Sequence, residues 1–121
     1  MTASTDERSP YLHERLRAYQ VALEFYAMVK AIRRDLPRGL GPIADQLTRA
    51  AQSVCLNLAE GAASRFPDVK RRHWNIAVGS AAECAAALDI LAIEGAVQES
   101  RLAQARERLR LSTLLTLGLA K

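Results

Sequence analysis

Apolar positions recur every third or fourth residue along most of this chain, and no stretch alternates with the period of two that a strand needs. The first run extends from about Tyr11 to Asp35. Leu16, Tyr19, Val21, Leu23, Phe25, Tyr26, Val29, Ile32 and Leu36 include a clear three-and-four spacing, while Arg15, Arg17, Glu24, Lys30, Arg33 and Arg34 mark a wet face. Pro37, Gly39, Gly41 and Pro42 then break the pattern. A second run covers about Pro42 to Ala63, with Pro42 suited to a first helical turn. Ser64 to Asp68 form the next connection, and Pro67 opens a third run that continues to about Glu94, where Gly95 stops it. The Ala-rich middle of that run, Ala81 to Ala87, buries surface only where neighbouring backbones approach closely. A fourth run begins near Gln98 or Glu99 and reaches about Leu119, with Leu102, Ala105, Leu109, Leu111, Leu114, Leu115 and Leu117 on its apolar side. Four helices with three short connections predict an all-α, antiparallel up-and-down four-helix bundle. Residues 1–10 read as a flexible N-terminal tail and 11–121 as a single four-helix-bundle domain.

The second run is unusual. Its polar residues Gln46, Arg49, Ser53, Asn57 and Glu60 cover an arc of only roughly 80° on a helix. Ile43, Leu47, Ala50, Val54 and Leu58 form an adjacent apolar stripe. A helix this apolar is expected to be buried on most sides, so the polar line is expected to face protein. Its natural partner is the third helix, where Ser80 and Glu83 share a face. The expected network pairs Arg49 with Glu83, fills in hydrogen bonds with Gln46, Ser53 and Asn57, and turns Glu60 toward Arg65 or the basic start of the third helix. Buried charge is tolerated only when paired and hydrogen-bonded, so losing Arg49 or Glu83 alone would cost about 3–5 kcal/mol if the pair is buried. Such a network can fix helix register and subunit contacts, or it can form a ligand or nucleic-acid site.

Composition narrows the picture. Half of the 121 residues are apolar but aromatics make up only 5%, so the core must be built from Ala, Leu, Val and Ile. Charged residues at 25% suit a globular protein. The net charge of +4 permits a nucleic-acid or acidic partner without demanding one. Cys55 and Cys84 both lie inside apolar helical patterns and read as free thiols used as small hydrophobes. MTASTDERSPY has no signal-peptide core, and no uninterrupted apolar run approaches the length of a membrane span. A cytoplasmic protein is expected.

A basic cluster, Arg65, Lys70, Arg71, Arg72 and His73, precedes Trp74. Cations beside an aromatic suit a phosphate backbone and a stackable base. The same residues also suit a solvated helix start with Trp74 turned into the core. Arg101, Arg106, Arg108 and Arg110 form a second basic group, and Arg33, Arg34 and Arg38 a third. Catalytic templates fail. Neither Glu60 nor Glu83 begins a Glu-x-x-His pair, His13 and His73 fit no zinc spacing, and no phosphate-binding glycine loop is present. No enzyme activity, metal or cofactor is expected.

The run QLTRAAQSVCLNLAEGAASR, followed by IAVGSAAEC, closely resembles the 23S rRNA-intervening sequence protein family, and the accessory protein of diversity-generating retroelements is similar. The family pattern falls on Gln46, Arg49, Ala50, Ser53, Val54, Asn57, Leu58, Ala59, Glu60 and Gly61, then on Ala77, Gly79, Ser80 and Glu83. The resemblance implies a four-helix bundle that assembles as a homopentamer. It also implies a bacterial protein with RNA or DNA, or a reverse transcriptase, as partner. The fourth helix carries no family motif, so no partner surface transfers to it. Together these readings predict a non-enzymatic oligomer that binds nucleic acid through Arg65, Lys70, Arg71 and Arg72 without base-specific readout. The alternative is an oligomeric protein-interaction scaffold. A small-ligand site on Arg49, Asn57, Glu60 and Glu83 is the third reading.

Overall fold

In the computed structural model, which describes residues 9–121, four helices follow one another in chain order: α1 (Arg17–Asp35), α2 (Gly41–Ala63), α3 (Pro67–Glu94) and α4 (Glu99–Leu119). Each packs on its chain neighbours and α4 closes onto α1, giving the antiparallel four-helix bundle that the periodicity predicts. Residues 1–8 of the expected tail lie outside the described residues.

The helix boundaries follow from local chemistry. Pro42 and Pro67 sit in the first turns of α2 and α3, where a missing N–H costs nothing. Gly95 ends α3 with φ at 68°, a left-handed conformation that a residue without Cβ adopts freely. Leu36 is extended before Pro37, as the ring of a following proline requires. The first helix departs from expectation at its start. Leu12–Arg15 form a separate 3-10 turn, Leu16 is extended, and α-helix begins only at Arg17. Tertiary contacts hold the break open. The turn packs against α2, His13 meets the Tyr19 ring edge-on at 4.7 Å, and Gln20 Nε2 donates to Glu14 O at 3.0 Å.

The core is aliphatic and small. Phe25, Ile32, Leu47, Leu58, Leu88 and Leu91 are its largest fully buried side chains, and Ala18, Ala22, Ala51, Ala77, Ala81 and Ala105 let the backbones approach between them. The buried hydroxyls are all satisfied: Thr48 donates to Ala44 O, Thr116 to Ser112 O, and Ser112 to Ala18 O across α4 and α1.

By length and composition alone, α3 is the one helix among the described residues able to cross a membrane, although Glu83 and Asp89 interrupt its apolar run. Trp74, Ala77, Ala81, Cys84, Leu88 and Leu91 point into the bundle, yet only 33% of its apolar window is buried. Ile76, Ile90 and Ile93 remain exposed.

Candidate nucleic-acid interface and the polar seam beside it

The polar line of α2 meets α3 through its lower half. Ser53 Oγ and Ser80 Oγ lie 2.7 Å apart, and Asn57 Nδ2 donates to Ser53 O at 2.9 Å and to Ser53 Oγ at 3.1 Å. A carbonyl can only accept, so these bonds fix the Asn57 amide with Oδ1 toward His73, whose Nδ1 donates across 3.0 Å. Glu60 Oε2 lies 3.4 Å from the same Nδ1. Ser53, Asn57, Ser80 and His73 are half-buried.

The upper half differs from the expected network. Gln46, Arg49 and Glu83 are exposed, and Arg49 and Glu83 form no ion pair with each other or with any other described residue. Glu60, at the other end of the line, is exposed as well and turns to His73 in the basic start of α3, one of the two directions expected for it. The stripe Leu47, Ala50, Ala51, Val54 and Leu58 fills the interior, which leaves the polar line on the edge of the α2–α3 contact. There, short serines and Asn57 are partly covered, and the longer side chains reach water. Along the chain His73 stands among the cations, but in the fold it belongs to the seam. Its register with Asn57, sixteen residues away, is set by the α2–α3 turn.

The basic cluster divides in the same way. Lys70 is half-buried; its Nζ donates to Gly61 O and Ala62 O at 3.2 Å each and lies 5.4 Å from the Trp74 ring centroid. It thereby satisfies carbonyls at the end of α2, which have no partners within the helix. Arg71 pairs with Asp68. Arg65 and Arg72 are exposed; the Arg65 guanidinium sits 5.4 Å from the centroid of Phe66, and Arg72 makes no ion pair or hydrogen bond among the described residues. Trp74 is turned into the core at 8% exposure, with Nε1 donating to Leu58 O at 3.4 Å. Phe66 is an exposed aromatic at this end. Antiparallel order brings Arg17, the first residue of α1, to the same end of the bundle.

Four arginines elsewhere are tied to carboxylates. Arg33 pairs with Asp45, Arg101 with Asp35 at 2.7 Å, Arg106 with Asp89 at 2.9 Å and Arg108 with Glu24 at 3.5 Å. These pairs join neighbouring helices. Arg34, Arg38 and Arg110 stay exposed. Neither cysteine is poised as a nucleophile. Burial pushes the Cys55 thiol up to about 11, and burial with the nearby Glu83 carboxylate pushes Cys84 up to about 12.

Fold and site therefore define a small helical bundle with a polar seam along one helix pair and exposed cations at the end where that pair turns. The chain belongs to the 23S rRNA-intervening sequence protein family, whose sequence model matches residues 14–115. Among solved structures it is similar to a protein of unknown function from the S23 ribosomal protein family of Bacteroides thetaiotaomicron. The TM-score is 0.79, with 16% identity over 85% of this chain and 94% of that one. At that identity the likeness is one of fold. A comparison with curated proteins finds no match.

Proposed function

We propose that this protein is a non-enzymatic homo-oligomer, a pentamer, that binds RNA or DNA through phosphate contacts without base-specific readout. The observation that carries the reading is the set of exposed cations at one end of the bundle. Arg65, Arg71 and Arg72 lie in the α2–α3 turn and the first turns of α3, and Arg17 starts α1 at the same end. Lys70, an expected phosphate contact, is engaged with helix carbonyls and belongs to the scaffold of this end. Few cations on one chain give weak affinity, but repetition around a ring supplies avidity. Assembly is supported by the exposed apolar surface of α3, which a second chain would cover. The non-enzymatic reading draws on the thiols, which burial keeps protonated.

The test is binding of fluorescent RNA and DNA hairpins across several salt concentrations. Affinity that falls steeply with salt supports phosphate contacts, and no binding at low salt overturns the reading. A second reading, an oligomeric scaffold for another protein such as a reverse transcriptase, is favoured by one feature. A groove of about 360 Å³ runs between α3 and α4, floored by Val78, Ala82, Ala85, Leu109 and Leu114. Capture of a specific protein partner without nucleic-acid binding would establish it.

A further inference from the structure

We infer that Phe66 is a stacking platform for an unpaired base, which makes single-stranded RNA or DNA the preferred ligand of the basic end. This inference rests on the nucleic-acid reading above and narrows it.

Phe66 is the residue just before α3, and it is 58% exposed although it is one of only two phenylalanines in the chain. The other, Phe25, is 1% exposed in the core. The ring is not among the side chains packed on the core, yet the backbone around Phe66 is firmly held. Its N–H donates to Ser64 Oγ at 3.1 Å and its carbonyl accepts from Lys70 N at 3.0 Å. The ring is thus presented from a fixed backbone. The Arg65 guanidinium sits over it at 5.4 Å from the centroid, and more than half of the residue remains accessible to solvent.

That arrangement suits a nucleobase. Aromatic rings stack on bases of any sequence, and a guanidinium on the same ring adds a cation that a neighbouring phosphate can use. Arg72 lies on the following turns of α3 and has no carboxylate partner among the described residues. Bases inside a duplex have both faces stacked already, so the platform discriminates for strands, loops and bulges. Trp74 cannot serve this role. Its ring is buried against Gly61, and its Nε1 is used by Leu58 O.

The experiment compares a fluorescein-labelled oligo-dT strand with a blunt DNA duplex at matched salt. The wild-type protein should bind the strand more tightly. Phe66→Ala should weaken strand binding by about tenfold with a smaller loss on the duplex. Phe66→Trp should keep strand binding and show quenched indole emission when the strand is added. Because residue 66 is exposed, helicity and thermal midpoint of both variants should match the wild type. If Phe66→Ala leaves strand affinity unchanged while Arg72→Ala lowers it and flattens its salt dependence, the stacking role is wrong and phosphate binding stands. If neither strand nor duplex binds at low salt, this inference and the nucleic-acid reading fall together.

Discussion

Trp74 lies so close over Gly61 that a Cβ on residue 61 would fall 2.5 Å from its Nε1 and 2.7 Å from its Cδ1. Both atoms belong to a rigid, buried ring, so neither can step aside cheaply. Gly61→Ala should therefore destabilise the bundle by about 1–3 kcal/mol, read from urea denaturation. The same change in a Trp74→Leu background should cost much less, because the obstructing ring is gone. Equal costs in the two backgrounds would show that residue 61 is constrained by something other than Trp74.

The two cations Lys70 and Arg72 should separate cleanly. Lys70→Met keeps the aliphatic stem but removes the charge from the Gly61 and Ala62 carbonyls, so stability should drop by about 1 kcal/mol. Arg72→Ala should leave stability within about 0.5 kcal/mol, as expected of an exposed site. It should reduce the salt slope of nucleic-acid binding by about one for each phosphate that Arg72 neutralises. Thermal melts and salt titrations of both variants check the division.

The thiols give a pH prediction. Cys55 and Cys84 are held protonated, with values pushed up to about 11 and about 12. The folded state therefore binds these protons more tightly than the unfolded one. Their contribution to stability is complete below about pH 8.5 and is lost as pH rises through 11 to 12. Iodoacetamide at pH 8 should label neither thiol in native protein and both in denaturant. Rapid native labelling would mean that the α2–α3 contact opens readily.

Much of this fold is legible in the sequence because its signals are local. Pro42, Pro67 and Gly95 act within one turn, and each marks a helix end in the structure. The start of the first helix is not legible, since the break at Leu16 depends on His13 meeting Tyr19 and on packing against α2. The polar line is visible along the chain, but its depth is not. Hydrophobic content tells that α2 is largely buried, whereas exposure of Arg49 depends on the rotation of α2 against α3. Phe66 carries no sequence signal, because a lone aromatic beside a proline reads equally well as core or surface.

Exposure of Arg49 and Glu83 reverses the expected energetics. Each should cost less than about 1 kcal/mol when changed to Ala, in place of the loss expected from breaking a buried pair. Urea denaturation of both variants measures this, and losses of several kcal/mol would mean that the side chains are covered in solution. What could cover them is a second chain, and α3 offers the means to find out. Ile90 is exposed on the helix that buries only 33% of its apolar window. Ile90→Glu should leave the helical content of a single bundle intact, because the residue makes no part of the core. If α3 is an assembly surface, sedimentation should give a multi-chain mass for the wild type and a smaller mass for Ile90→Glu, since an unpaired buried carboxylate at a contact is strongly unfavourable. An unchanged multi-chain mass would move the contact to another face of the bundle. A wild-type mass of one chain would remove assembly from the proposed function, and with it the avidity on which a handful of exposed arginines depends.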